Sequence, residues 1–262
     1  MSEEAAGPPT VGLVGPADGS VAADCRAVGR DGDVELVVGA GDALAAEPRV
    51  VVAVGESALR EVARRRPVAP VLPVDAGSGV RSVRAADVRS ALRSVLADEA
   101  TVEHPPVVGV DVGGERVAEA VYDVLVVTAA PAHISEYRVR AEEEPVATFR
   151  ADGVHAATPA GTTGYARSAG SPVVPAGSSV CTVVPVAPFA TTLDDWVLPV
   201  EDVRIDVLRD EADIALRVDG EREAFLSAGA PVALEVDGTV DLLRVPASLS
   251  PFDRDVDQSE KL

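Results

Sequence analysis

The chain has 262 residues, 47% of them hydrophobic and 3% aromatic, enough apolar material for one large domain or two modest ones packed mainly by Val, Ala and Leu. Its 43 acidic and 23 basic residues leave a net charge of -20, with Lys261 the single lysine, a balance that argues against nonspecific nucleic-acid or anionic-membrane partners. An acidic surface, scarce lysine and small core residues resemble the proteins of organisms that keep molar salt in the cytoplasm, where a Debye length of roughly 3 Å screens such self-repulsion.

The start of the chain, Met1 to Thr10, carries acids and prolines where a secretory signal needs a basic start and an apolar stretch. No apolar run approaches membrane-spanning length, so a cytoplasmic location is expected. Residues 11–14, 34–38, 50–54 and 68–74 then read as short apolar strands with helical stretches between or after them. Residues 57–66 and 85–96 place apolar side chains at helical spacing with arginines on the other face. The pattern predicts an open, parallel, Rossmann-like α/β lobe, a fold that places ligands at the carboxyl ends of its strands. Beyond His104, Pro105 and Pro106 the texture changes to short Val-rich strands punctuated by Gly, Pro and Asp, with a turn at Gly113 and Gly114. This reads as a β-rich lobe with no long helix before Thr158. The expected division is 1–100, 101–245 and a C-terminal tail 246–262, acidic from Asp253 onward and expected at the surface, with Phe252 and Leu262 as residues that could anchor it. Cys25 and Cys181 form no CxxC or Cys/His cluster and read as free, buried thiols. His104, His133 and His155 have no metal-ligand spacing.

The most informative stretch is Asp152-Gly153 followed by Thr158-Pro159-Ala160-Gly161-Thr162-Thr163-Gly164-Tyr165. A strand ends at Asp-Gly, a second runs into Thr-Pro, and Gly161 lets backbone pass close to a ligand before a helix begins at about Thr162. Hydroxyls and free N–H groups then suit a ribose, an amide or a phosphate, and Tyr165 supplies a flat face for a base. The plain alternative is that Thr162 or Thr163 caps a helix and Gly161 turns a loop.

These segments resemble the Asp-Gly and TPTGSTAY motifs of the NAD kinase family, at the family's spacing. In order, Ser168-Ala169-Gly170-Ser171-Pro172 resembles the family's SAGGP, Pro185-Val186-Ala187-Pro188 its proline pair, Trp196-Val197-Leu198-Pro199 the segment after it, and Asp219-Gly220-Glu221 its DGQ. Lys261-Leu262, with Phe252 upstream, is similar to the family's tail. The resemblance implies an N-terminal α/β lobe and a C-terminal β-sandwich lobe. It implies transfer of the terminal phosphoryl group of ATP, or of polyphosphate, to the adenosine ribose 2′-hydroxyl of NAD, giving NADP. Carried over by position, Thr158, Thr162, Thr163 and Tyr165 face the nucleotide, Gly161 gives backbone access and Asp152 reaches the nicotinamide end. Magnesium would arrive with the nucleotide phosphates. The family's habit implies a homodimer or homotetramer.

Two places depart from the family. Its GGDGT loop is here Val54-Gly55-Glu56-Ser57-Ala58, leaving Gly55 and Ser57 at the phosphate and Glu56 as the candidate base, one methylene longer than aspartate. Its Asn-Glu pair, which holds the ribose or base, is here Tyr122-Asp123; Asp123 still accepts from two hydroxyls, whereas Tyr122 replaces an amide that both donates and accepts. Glu56 also reads as a solvated residue of a first helical turn, and Tyr122 as a half-buried strand aromatic. Three functions stay open: an active kinase, a catalytically impaired NAD(P)-binding paralogue acting as sensor or partner subunit, and a lipid-kinase relative. The absence of an apolar or basic docking segment counts against the last.

Overall fold

The computed structural model describes residues 9–252 apart from 33, 131–132, 191–193, 211 and 227, so the acidic start, the tail from Asp253 and Lys261-Leu262 lie outside the described residues. These form two compact units: the residues up to Glu103 together with those from Asp241, and His104–Val240.

The first unit runs β1 (Thr10–Val14), α1 (Ser20–Gly32), β2 (Glu35–Val38), α2 (Ala40–Ala45), β3 (Val50–Val54), α3 (Glu56–Arg65), β4 (Val71–Val74), α4 (Val88–Leu96) and β5 (Thr101–Glu103). The strands β2-β1-β3-β4 are mutually parallel. Alternation along β1 sends Val11 and Leu13 to one face, where they join Val21, Cys25 and Val28 of α1 and Leu92 and Val95 of α4 in one core. The other face takes α2, which presses so close to β1 that a Cβ on Gly12 would meet Ala43 O at 3.1 Å. Helices cover both faces, as a sheet of parallel, continuously apolar strands requires.

The expected strand 68–74 is shorter. Val68 is fully exposed and pairing begins at Val71, after Pro67 and Pro70 have removed two donors. The expected helix 85–96 opens instead with a 3₁₀ turn at Ala85–Asp87. Beyond Val240 the chain returns to the first unit. Its last strand, Leu242–Arg244, pairs in parallel with β4 and antiparallel with β5, and Val71 N–H donates to Asp241 O at 2.8 Å. The sequence pattern runs the β-rich lobe on to residue 245 instead, because three residues of strand carry almost no periodicity of their own.

The second unit comprises β6 (Pro106–Val112), β7 (Glu115–Ala120), β8 (Asp123–Thr128), β9 (Ser135–Ala141), β10 (Glu144–Ala151), β11 (Gly153–Ala157), α5 (Tyr165–Ser168), β12 (Val180–Val186), β13 (Trp196–Pro199), β14 (Val203–Arg209), β15 (Ile214–Val218), β16 (Glu221–Leu226) and β17 (Val232–Thr239). Among the described residues the strands form two antiparallel sheets, ordered β10-β9-β14-β17-β6-β7 and β13-β12-β11-β8-β15-β16. Period-two alternation aims Val124 and Val126, Val154 and Ala156, and Cys181 and Val183 of one sheet at Tyr137, Val139, Ile205 and Leu234 of the other. Phe149 of β10 stacks on Trp196 of β13 with centroids 5.9 Å apart. The unit is a β-sandwich, its β15–β16 hairpin closed by Asp219 and Gly220 at φ 50° and 81°.

Candidate functional site

In the first unit, β1 leads into α1 on one face and β3 into α3 on the other. The adjacent ends of β1 and β3 are therefore a topological switch point, where doubly wound sheets take ligands. Gly15 and Gly55 occupy these ends with φ of 148° and 85°; a Cβ on Gly15 would stand 2.8 Å from the Val54 Cβ. Gly55 N–H donates to Val74 O at 2.8 Å. That bond turns the chain directly into α3, whose first residue is Glu56 and which has no side-chain cap. The first amides of a helix lack intrahelical acceptors and favour an anion. Glu56 and Ser57 are exposed, Arg60 Nη2 donates to Ser57 Oγ at 3.0 Å, and Ala58 is buried. The Glu56 carboxylate reaches towards the loop after β4, where a Cβ on Gly77 would lie 3.6 Å from its Oε1.

In the second unit, the loop after β11 is committed largely to its own structure. Thr158 Oγ1 donates to Val121 O at 2.6 Å, and Thr158 N–H donates to Tyr122 O at 2.9 Å. Thr162 Oγ1 donates to Pro159 O at 2.9 Å and accepts from Val174 N–H at 3.1 Å. Both threonines are buried. Gly161 is also buried, and a Cβ there would come 1.9 Å from Tyr122 O. Its need for glycine arises from this approach of two backbone segments, where the sequence suggested approach to a ligand. The helix expected from Thr162 is a 3₁₀ turn at Pro159–Gly161, followed after Gly164 by the four-residue α5. What the loop presents outward is Thr163, partly exposed, and Tyr165, 48% exposed.

Asp123 opens β8 with its side chain 27% exposed. Tyr122 beside it is 8% exposed and sits among the buried residues. The pair is held by Asp219, whose carboxylate accepts from the N–H groups of Val121, Tyr122 and Asp123 at 3.0, 2.7 and 3.0 Å. Burial pushes the Asp219 carboxyl above its ordinary range, ahead of the three N–H bonds that pull it down. His155 Nε2 lies 3.4 Å from Asp123 Oδ2, and its ring meets that of Tyr165 at 4.9 Å. The histidine thus links the Asp123 carboxylate to the Tyr165 ring. Spacing rules overlooked it, since they look for metal ligands; the usable signal was a polar side chain on an otherwise apolar strand.

Asp152 is not part of this group within the chain. It precedes β11 and Thr158 follows it, roughly 20 Å apart at about 3.3 Å per residue. Its carbonyl accepts from Thr128 Oγ1 at 2.9 Å and Tyr137 Oη at 3.2 Å.

Residues 121–236 match the ATP-NAD kinase C-terminal domain, a span that takes in Asp123, Asp152, the loop after β11 and Asp219. The NAD kinase of Methanosarcina mazei is 30% identical over 196 residues, 74% of this chain and 63% of that protein. The NAD kinase of Methanosarcina acetivorans is 30% identical over the same length, 74% of this chain and 66% of that one. The chain therefore spans just under two thirds of the length of these relatives. Among solved structures, the Archaeoglobus fulgidus NAD kinase in complex with ATP superposes with a TM-score of 0.74 at 19% identity, covering 90% of this chain and 94% of that one. Yeast NADH kinase complexed with NADH gives 0.73 at 18%, covering 93% and 85%. At such identities the superpositions speak for the fold, and the sequence matches speak for descent. Residues 121–236 belong to the ATP-NAD kinase C-terminal domain family, and the chain as a whole is similar to NAD kinases.

Proposed function

We propose that the protein phosphorylates NAD at the adenosine ribose 2′-hydroxyl, with ATP or polyphosphate as donor. The observation that carries this reading is the Asp123–His155–Tyr165 group: a carboxylate able to accept from ribose hydroxyls stands beside a half-exposed ring able to stack on a base, on a domain matched to the ATP-NAD kinase family. Thr163 and Tyr165 meet the nucleotide, while Thr158, Gly161, Thr162 and Tyr122 hold the loop that presents them. Asp152 belongs to the nicotinamide end. By the family resemblance, the Gly55 turn, the amides and Ser57 at the start of α3 serve phosphate, and Glu56 serves as base. In the reaction the Glu56 carboxylate takes the 2′-hydroxyl proton, the 2′ oxygen bonds to the γ-phosphorus, and the bond from that phosphorus to the β–γ bridging oxygen breaks to release ADP. Magnesium would arrive on the nucleotide phosphates. No helix among the described residues is long and apolar enough to cross a membrane. Assembly as a dimer or tetramer belongs to the same reading.

A second reading, a binding paralogue with impaired catalysis, draws on the Glu56 loop. Arg60 engages Ser57 and Val54 packs at Gly15, so side chains stand at two positions where the family has glycine. The two readings are separated by assaying NADP formation in molar KCl with each donor, for the protein and for Glu56→Gln. Turnover abolished by the substitution supports the kinase with Glu56 as base. Turnover that survives it removes Glu56 from the mechanism, and dinucleotide binding without turnover leaves the paralogue. In that last case Val54→Gly, Glu56→Asp, Ser57→Gly and Ala58→Thr together should restore activity, since misplacing reacting groups by an ångström costs about 10²-fold.

A further inference from the structure

His155 is 2% exposed, and neither ring nitrogen has a hydrogen-bond partner. It lies in the middle of β11, where Val154 and Ala156 turn into the sandwich core and His155 turns to the opposite face. On that face α5 packs against β11 and Tyr165 meets the imidazole ring. Thr182 on the neighbouring strand β12 points the same way, since Cys181 and Val183 flank it in the core, and its buried Oγ1 also has no partner. A buried polar group without a partner costs stability that a valine at the same place would not. The Asp123 carboxylate and the Tyr165 ring, to which a nucleoside would be offered, both lie against this ring.

We propose that His155 is a positioning residue of the nucleotide site. Its imidazole steers the Asp123 carboxylate from beneath and backs the Tyr165 ring, so that acceptor and stacking face are set in place before a nucleoside arrives. Nε2 lies 3.4 Å from the Asp123 carboxylate oxygen, and an N–H on that nitrogen is the donor that would hold it. On ligand binding the Asp123 carboxylate is drawn up against sugar hydroxyls, and a donor behind it holds its second oxygen. This inference rests on the dinucleotide reading above and adds to it the residue that sets the geometry.

The test uses the full chain in molar KCl, with NAD and NADP as calorimetric probes and melting as a check on folding. His155→Leu fills the volume and should weaken dinucleotide binding about tenfold, the scale of one hydrogen bond to a charged group. His155→Gln keeps a donor and should bind within about threefold of the unaltered protein. In an Asp123→Asn background His155→Leu should have an effect below about twofold, because the partner it serves is gone. Equal loss in the Leu and Gln variants, no loss in Leu, or a full additional loss on Asp123→Asn would each overturn the proposal. If the unaltered protein binds neither dinucleotide, the dinucleotide reading itself fails. The ligand-free chain then tests the coupling separately: the imidazole ¹⁵N resonances of His155 should move on Asp123→Asn, and unchanged resonances would show that the two groups are uncoupled.

Discussion

Replacing Gly161 by alanine distinguishes a glycine needed by the fold from one needed by a ligand. The added Cβ would lie 1.9 Å from Tyr122 O and 2.6 Å from Tyr122 C, both backbone atoms that no rotamer change can move. The Tyr122 carbonyl must shift by more than an ångström, and with it the 2.9 Å bond it accepts from Thr158 N–H. Overpacking of this kind costs about 1–3 kcal/mol, and a lost buried hydrogen bond adds about 1 kcal/mol, so the sum is about 2–4 kcal/mol. For a chain of this size each kcal/mol moves the melting midpoint by about 2–4 °C, giving a loss of about 10 °C. Gly177→Ala is the control: it is exposed, with nothing within 4 Å of its added Cβ, and should leave the midpoint unchanged or slightly raised. Thermal melting of both variants in molar KCl, followed by circular dichroism, decides the matter. If Gly161→Ala melts with the control while dinucleotide binding is lost, the glycine serves the ligand and the steric reasoning is wrong.

Asp219 offers a test with a pH axis. Its raised folded pKa means that its contribution to stability is full below the ordinary carboxylate range and is lost as pH rises through the folded value. The stability advantage over Asp219→Asn should therefore shrink from acid to neutral pH, and an advantage that grows with pH would contradict the assignment. Asp219→Ala, which strands three N–H donors, should cost about 3 kcal/mol by urea unfolding, and a loss under about 1 kcal/mol would mean that water replaces the carboxylate. With a net charge of -20, the chain should melt higher in molar than in low KCl, and equal midpoints would remove the salt argument. Burial pushes the Cys25 thiol up to about 11 and the Cys181 thiol up to about 12, so neither should react with a thiol reagent at pH 8 until the chain unfolds. Stoichiometric labelling of the native protein would refute that.

Much of this protein is written in local pattern. The alternation of short Val-rich strands with helices in the first hundred residues, the change to period two beyond the prolines, and the ordered motifs from Asp152 to Glu221 are near-neighbour signals, and they suffice for the α/β unit, the sandwich and the family. The sequence also singled out the Thr158 to Tyr165 loop, because threonines, glycines and an aromatic at a strand end stand out against apolar surroundings. It could not say which of those groups would be spent internally. Thr158 finds its acceptor 37 residues away and Asp219 its donors 96 to 98 residues away. These partnerships exist only once β8, β11 and the β15–β16 hairpin lie side by side, so a hydroxyl that looks free in the sequence is claimed in the fold. Leu242–Arg244 joins the first sheet, and His155 comes under Asp123 and Tyr165, for the same reason. Local propensity chooses the element, but the exposure and partner of each polar atom depend on neighbours that only long-range strand pairing brings within reach.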